Sequence, residues 1–175
     1  MESSRFQLSC YSDGACKVNP GRGGWGTVMI RETDNMVYRW IRYGGKKQTT
    51  NNEMELTGAL EGLKMCPVGH DIVFYMDTQY VLKGLINGGI DGYVAKSKLG
   101  DRVVFTGWLH GWMSRNWIKA DGKKVLNLGL WQQIVKECEK HVSGGSTLRF
   151  KWVKGHSGDA GNEFADQLAN LGIPD

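Results

Sequence analysis

The sequence has few prolines, few cysteines and no long apolar run, and each absence excludes a class of protein. Three prolines and no polar linker leave no domain boundary, so residues 1–175 are expected to form one domain. The four cysteines form no CxxC pair and have no histidine at zinc spacing, which argues against a disulfide framework or structural zinc. No apolar run approaches the roughly 20 residues that span a bilayer, and no secretory signal opens the chain. We therefore expect a cytoplasmic protein without membrane contact.

What the sequence does contain is a change of hydrophobic period along the chain. Alternating, β-branched segments up to about residue 43 predict three antiparallel strands joined by short turns. After them, the capping-box sequence Thr50–Glu53 opens a predicted helix, and helices then alternate with the predicted strands DIVFYMD and TLRFKWVK. Apolar faces place Trp131 and Trp152 in the predicted core. This order indicates an α/β (mixed α+β) fold, with a mixed sheet and helices packed on its faces.

Four carboxylates fall where such a fold brings side chains together. Asp13 and Asp77 are predicted to end strands, and Glu55 and Asp166 to lie near helix starts, positions that meet at the edge of an open sheet. Four carboxylates gathered there would repel one another and have raised pKa values unless a cation lay among them, and oxygen ligands suit Mg²⁺ or Mn²⁺. Taken singly, each fits a turn, a helix cap or a solvated first turn better than a metal ligand.

Two further segments allow both a structural and a functional interpretation. His156 lies in a Gly-flanked loop, where it could swing and transfer protons, although a lone GHSG is more often a surface turn. Trp108 and Trp112 share a predicted helix face, and Lys119 follows in a basic stretch. This aromatic and basic segment could bind nucleic acid, or its tryptophans could belong to the core. The net charge of +4 mildly favours anionic binding partners.

Four segments in order resemble type 1 ribonuclease H of the bacterial kind: YSDGACKVNPGRGGWG, TTNNEMELTGALEGL, MDTQYV and KWVKGHSGDAGNEFADQLA. The similarity runs from about Phe6 to Leu171. The resemblance implies a ribonuclease H-like fold with a five-stranded mixed sheet. It also implies a monomeric endonuclease that hydrolyses the RNA strand of RNA–DNA hybrids with two Mg²⁺ ions, for which Mn²⁺ can substitute. The implied products carry 5′-phosphate and 3′-hydroxyl ends.

The resemblance also implies roles for individual residues. Asp13, Glu55, Asp77 and Asp166 match the metal-binding, catalytic carboxylates, and His156 matches a catalytic loop histidine that assists proton transfer or product departure. Further positions match residues that contact the hybrid in its minor groove, at a DNA phosphate, along the DNA strand or in a basic protrusion. These expected substrate-binding residues are Gly14, Cys16, Asn19, Thr50, Asn52, Gln79, Trp108, Trp112 and Lys119.

Two departures and two rival functions remain open at this point. The Gly-rich stretch Asn87–Phe105 is an insertion of about twenty residues, either a flexible excursion or a small hairpin. The protrusion is also less basic than is usual in the family. One rival function is a non-catalytic hybrid-binding module of the same fold. The other is a related polynucleotidyl-transfer enzyme that acts on DNA, such as an integrase.

Overall fold

A mixed sheet forms the centre of the molecule in the computed structural model, which describes residues 4–98, 100 and 102–175. Helices pack on both faces of the sheet, so the predicted fold class is confirmed. The strands are β1 (Gln7–Cys16), β2 (Gly21–Glu32), β3 (Val37–Thr49), β4 (Asp71–Met76), β5 (Asp91–Lys96), β6 (Val103–Val104) and β7 (Thr147–Trp152).

The first three strands form an antiparallel meander, as the sequence predicts. β1 then pairs in parallel with β4, and β4 pairs in parallel with β7, so the centre of the sheet is parallel. The full order is β3-β2-β1-β4-β7-β5-β6. Parallel strands end at the same edge, and the residues that follow β1, β4 and β7 are therefore brought together there.

The sheet has seven strands in this description, and the expectation of five is wrong. The two additional strands come from the Gly-rich stretch Asn87–Phe105, which contains a hairpin. β5 adds antiparallel to β7, with Val94 opposite Leu148, and both side chains are buried. β6 pairs with the end of β5 through only two residues. This stretch thus widens the sheet on the side away from β3.

Five helices cover the sheet: α1 (Asn51–Met65), α2 (Gln79–Leu85), α3 (Trp108–Ser114), α4 (Leu128–Ser143) and α5 (Ala160–Leu171). The predicted cap of α1 is confirmed, because the Thr50 hydroxyl accepts a hydrogen bond from the Glu53 N–H at 3.1 Å. α5 follows an amphipathic pattern along its length, with Asn162, Ala165, Leu168 and Ala169 buried. No helix in the described part of the chain combines the length and apolar character that crossing a membrane requires.

The main core lies between the sheet and the α1–α4 side. Phe74 and Phe150 stack there across neighbouring strands, with ring centroids 5.6 Å apart, and Trp131 is fully buried as predicted. Trp152 is not a core residue, and that prediction is wrong. It ends β7 with 38% of its surface exposed, and its indole N–H donates to the Asp77 carbonyl at 3.3 Å.

Candidate active site

The four predicted carboxylates gather at the edge where the parallel strands end. The last parallel pair of β1 and β4 is Ser12 with Met76, so Asp13 and Asp77 follow side by side on neighbouring strands. Asp13 does not end β1 as predicted. β1 continues through Asp13 to Cys16 because β2 still pairs with it after β4 has ended, with Gly26 opposite Asp13. The sheet itself therefore positions the first two carboxylates.

Glu55 reaches the same edge because α1 packs directly against β1. The closest approach is at Gly14, where a Cβ atom would lie 2.5 Å from the backbone nitrogen of Glu55. Only glycine leaves room for this contact, which brings the helix next to Asp13. The Glu55 carboxylate accepts a hydrogen bond from the Thr78 hydroxyl at 2.5 Å. Thr78 follows Asp77 in the chain, so one short segment orients two of the acids.

Asp166 is supplied by α5, which lies on the other face of the sheet. It is the seventh residue of the helix and thus lies in the second turn, not at the start as predicted. Asn162 lies one turn earlier on the same helix face, is 2% exposed, and lies near the Asp77 carboxylate, whose pKa it lowers. Asp166 itself lies near Asp13, and its charge helps to raise the pKa of that carboxyl. All four carboxylates therefore belong to one cluster.

The electrostatics of this cluster follow from burial and mutual repulsion. Burial, then the charge of Asp77, raise the pKa of Asp13 to about 9, although the Gly14 N–H, 2.8 Å away, works in the opposite direction. Burial also raises the pKa of Glu55 to about 7, against the lowering effect of the Thr78 hydroxyl. The pKa of Asp77 is raised by burial as well. Without a cation, the cluster therefore holds protons that isolated carboxylates would release at neutral pH.

The cluster fits a divalent cation in its chemistry. All four donors are carboxylate oxygens, the ligands that Mg²⁺ and Mn²⁺ prefer, and a cation among them would offset their mutual repulsion. In the described part of the chain, no three His, Cys, Asp or Glu side chains are already arranged to hold a metal ion. Metal binding would thus displace the retained protons and turn the carboxylates toward the ion.

His156 lies beside the acidic cluster in the loop between β7 and α5. Its side chain is exposed, its backbone adopts a left-handed conformation with φ of 54°, and its charge lowers the pKa of Asp77. The preceding Gly155 lies against the same carboxylate, since a Cβ there would be 3.0 Å from Asp77 Oδ2. The loop therefore places a titratable imidazole at the open side of the cluster, as the sequence predicts.

A groove of about 730 Å³ leads away from Glu55. Three predicted substrate-binding residues, Asn19, Thr50 and Asn52, line it together. The Asn19 side chain accepts a hydrogen bond from the Asn51 N–H at 3.2 Å, which joins the β1–β2 turn to the start of α1. The groove is also lined by Tyr80, Leu126 and Asn127, for which the sequence pattern predicts no binding role.

A second cleft, of about 580 Å³, contains Trp108, Trp112 and Lys119. Trp108 is 43% exposed, whereas Trp112 is 9% exposed and packs edge-on against Trp131. The core interpretation is therefore confirmed for Trp112, whereas Trp108 faces the cleft, and the binding of nucleic acid by this segment stays a prediction. Arg115 also lines the cleft and, with Lys119, adds positive charge to it, whereas Asp121 adds a negative charge.

The remaining predicted substrate residues, Gly14, Cys16 and Gln79, line neither cleft. Gly14 serves the contact between β1 and α1, and Cys16 ends β1 half-buried, where burial raises the pKa of its thiol. Gln79 begins α2, two residues after Asp77. Asn162 was not predicted as a site residue, although its spacing of four residues from Asp166 on an amphipathic helix is a signal for it.

Comparison with known proteins identifies the family. The RNase H family profile matches residues 5–99 and 102–173. The chain belongs to the ribonuclease H family. Ribonuclease H of Hahella chejuensis is 39% identical over 166 residues, which cover 95% of this chain and 93% of that protein. This chain is accordingly a nuclease of the ribonuclease H family, whose members use divalent metal ions.

Solved structures share the fold of this ribonuclease H chain. LC9-RNase H1, a type 1 RNase H with the type 2 active-site motif, superimposes with a TM-score of 0.73 at 24% identity, covering 99% of this chain and 74% of that one. LC11-RNase H1 in complex with RNA/DNA hybrid superimposes with a TM-score of 0.57 at 17% identity, covering 95% and 96%. At these identities the likeness supports the ribonuclease H-like fold.

Proposed function

We propose that this chain is a metal-dependent endoribonuclease that hydrolyses the RNA strand of RNA–DNA hybrids. The observation that carries the proposal is the cluster of Asp13, Glu55, Asp77 and Asp166 at the end of the parallel strands. A protein that only bound a hybrid would gain nothing from four acids facing a polyanion. The hybrid bound to LC11-RNase H1, a protein of the same fold, agrees with this substrate.

The four carboxylates would hold the metal ions of the reaction. Two Mg²⁺ ions, or Mn²⁺ in their place, would supply activation of a water molecule and stabilisation of the departing 3′ oxygen, which leaves 5′-phosphate and 3′-hydroxyl ends. Asp13 would be central to holding them, since it is the most buried of the four acids and interacts with both Asp77 and Asp166. Glu55 faces both the cluster and the groove, where it could also sense the 2′-hydroxyl of the RNA strand.

The other residues of the chain would bind substrate and transfer protons. His156, exposed beside Asp77, is placed to take up or release a proton at the scissile phosphate. Asn19, Thr50 and Asn52 offer amide and hydroxyl groups to one part of the hybrid, and Trp108 offers a stacking surface to another. These contacts would be made to the sugar-phosphate backbone and the groove of the hybrid, so the cleavage rate should depend little on base sequence.

The charge distribution supports a polyanionic substrate. Leaving aside the four clustered acids, the chain carries 22 basic and 14 acidic residues (18 − 4), a net charge of +8. This surplus can hold a nucleic acid despite the acidic centre, and binding should weaken as salt increases. We also propose that the enzyme acts in the cytoplasm.

A cleavage assay on end-labelled hybrid, duplex RNA and duplex DNA, each with Mg²⁺, Mn²⁺ or EDTA, tests this function. We expect cleavage of the hybrid alone, only with metal, with 5′-phosphate and 3′-hydroxyl ends on the products. Hybrid binding without cleavage at any metal concentration would instead identify a binding module. Cleavage of duplex DNA in preference to hybrid would identify an enzyme of the integrase type.

A further inference from the structure

Trp152 lies next to the acidic cluster without contributing a carboxylate to it. It ends β7 and pairs with Met76, the last residue of β4, so Asp77 is the next residue along the neighbouring strand. The indole N–H of Trp152 donates a hydrogen bond to the backbone carbonyl of Asp77 at 3.3 Å. With 38% of its surface exposed, the side chain is mostly covered by the protein. The indole thus contacts the main chain at the point where β4 ends and the loop to α2 begins.

The peptide group that accepts this bond joins Asp77 to Thr78 and is connected to two of the four acids. Asp77 contributes its own carboxylate, and the Thr78 hydroxyl donates to the Glu55 carboxylate at 2.5 Å. Among the described residues, the Thr78 side chain makes no capping hydrogen bond to α2, although it is the N-cap residue of that helix. Because a peptide group is planar, a bond to its carbonyl restricts the backbone on both sides of it. The indole can therefore hold the backbone from which two acids are oriented.

The backbone of Trp152 is itself held from two directions. Its N–H donates to the Ile90 carbonyl at 2.8 Å, in the Gly-rich stretch Asn87–Phe105. The N–H of the next residue, Val153, donates to the Met76 carbonyl on β4 at 2.9 Å. A side chain that orients a functional group needs a rigid support of this kind. Hydrogen bonds on both sides therefore fix the point from which the indole extends.

We propose that Trp152 is a positioning residue of the acidic cluster, and that it holds the Asp77–Thr78 peptide group in the orientation in which the carboxylates bind metal ions. In this role the indole touches neither the metal nor the substrate, and it acts through the backbone of Asp77. Groups that orient metal ligands in this way usually raise the metal affinity of a site. The inference rests on the proposed function, because the metal ions belong to that reaction.

The exposed part of the ring allows a rival role, in which Trp152 contacts the hybrid directly. The two roles change different constants. A ring that packs against the hybrid affects KM at saturating Mg²⁺, whereas a group that orients metal ligands affects the Mg²⁺ concentration that the enzyme requires. We favour positioning because the indole N–H, the polar group of this side chain, is directed to a carbonyl of the protein.

An NMR titration with Mg²⁺ in the absence of substrate tests the proposal. Trp152→Phe keeps an aromatic ring but has no N–H to donate, and its dissociation constant for Mg²⁺ should be about three- to tenfold higher, the effect of one hydrogen bond. The matched control is Trp40→Phe, which alters an indole of similar exposure, 44%, on β3 at the far edge of the sheet. It should bind Mg²⁺ like the unaltered chain. Unchanged affinity in Trp152→Phe, or an equal loss in Trp40→Phe, would overturn the proposal.

The cleavage assay separates this inference from the proposed function. In Trp152→Phe, the Mg²⁺ concentration for half-maximal cleavage should rise by the same factor, whereas KM for the hybrid at saturating Mg²⁺ should stay within about twofold. A raised KM with an unchanged Mg²⁺ requirement would identify a substrate contact and overturn the positioning role. If the unaltered chain cleaves no hybrid, the proposed function fails, and the NMR titration still decides the role of Trp152.

A double-mutant cycle with Thr78→Val tests the route through the peptide group. Valine has the shape of threonine but lacks the hydroxyl that donates to Glu55, so this change should also weaken Mg²⁺ binding. Because both residues act on one short segment, the double variant should weaken Mg²⁺ binding by less than the product of the two single effects. An effect equal to that product would show that Trp152 and Thr78 act independently, and it would overturn this route.

Discussion

Aspartates at two places on the same sheet have opposite pKa shifts. Asp91 on β5 accepts two hydrogen bonds from Arg149, at 2.8 and 2.6 Å, and this pairing lowers its pKa. Asp71, at the start of β4, is likewise paired with Arg5, and its pKa is lowered as well. Asp13 has no such cation beside it: its charged neighbours are the carboxylates of Asp77 and Asp166, and burial together with these charges raises its pKa to about 9.

The difference separates charges that the fold neutralises from charges that it leaves for a ligand. The paired aspartates are satisfied by arginines of the same chain, so they need nothing else. The clustered acids are buried together, and a positive ion from outside would relieve their repulsion. An aspartate paired with an arginine of the same chain is thus a structural acid, whereas a carboxylate buried among other carboxylates is a candidate metal ligand.

The largest expected effect is on catalysis, from removing one clustered charge. Asp13→Asn should lower the rate of hybrid cleavage at least about a thousandfold. The variant loses a negatively charged metal ligand that interacts with two other acids of the cluster. Binding of the hybrid should survive, as measured by fluorescence anisotropy with Mg²⁺. The matched control is Asp91→Asn, which removes a paired aspartate and should leave the rate unchanged. A wild-type rate in Asp13→Asn would show that the site is assigned wrongly.

The second effect is on stability without metal. The folded protein retains the Asp13 proton up to a pKa of about 9, whereas the unfolded chain releases it near the ordinary 3.8. The folded state therefore binds more protons in that window, and stability in EDTA should fall as pH rises from about 4 to 9. Asp13→Asn should raise the free energy of unfolding at pH 7–8 by about 2 kcal/mol, measured by urea denaturation.

Adding Mg²⁺ to the same stability measurement gives a second test of the electrostatics of the cluster. It should stabilise the unaltered chain more at pH 8 than at pH 5, because ion binding requires the carboxylates to release their protons. Asp13→Asn should lose most of this gain. A melting temperature that rises with pH in EDTA, or that does not respond to Mg²⁺, would contradict the electrostatic account of the cluster.

A smaller effect is expected at the edge of the cluster. His156→Ala should slow turnover by about 10- to 100-fold without eliminating it, because the imidazole assists proton transfer but holds no essential charge. The pH dependence of the rate should also change, whereas the affinity for hybrid should not. Complete loss of cleavage would mean that the histidine has a larger role than an auxiliary one.

The smallest effect is expected where the fold already neutralises the charge. Asp91→Asn breaks a bidentate pair with Arg149 that is about one-third exposed on both sides. Exposed pairs contribute little because water and salt screen them, so the melting temperature should fall by less than about 4 °C. Calorimetry at low and high salt measures it, and the difference from the unaltered chain should shrink as salt increases. A larger loss would mean that the β5–β7 pairing depends on this ion pair.

Much of the fold could be predicted because the signals are local. The helix Ala160–Leu171 has an amphipathic period, and Thr50 carries the side-chain chemistry of a cap. The hairpin in Asn87–Phe105 could not be assigned, because one of its strands has only two residues. β5 is held by pairing with β7, which lies more than fifty residues later in the chain. Tertiary pairing decides such segments, and local preference does not.

The site was predictable in its residue types but not in its details. Spacing and resemblance indicated the four acids and His156. They did not indicate that β1 continues past Asp13, that Asp166 lies in the second turn of α5, or that Asn162 supports Asp77. These features depend on which elements end together at the sheet edge. Trp152 shows the same limit, since an apolar pattern does not reveal that a strand's last residue reaches solvent.

The close approach of α1 to β1 at Gly14 determines two things at once, the position of Glu55 and the position of the groove wall. Since α1 moves as one body, the clearance between this glycine and the backbone at Met54 and Glu55 fixes the position of Glu55. The same clearance fixes the wall of the groove at Thr50 and Asn52, which belong to the start of that helix. The absence of a Cβ atom at residue 14 therefore sets the positions of both Glu55 and the groove wall. Any change that widened it would alter the ligand spacing and the substrate channel together.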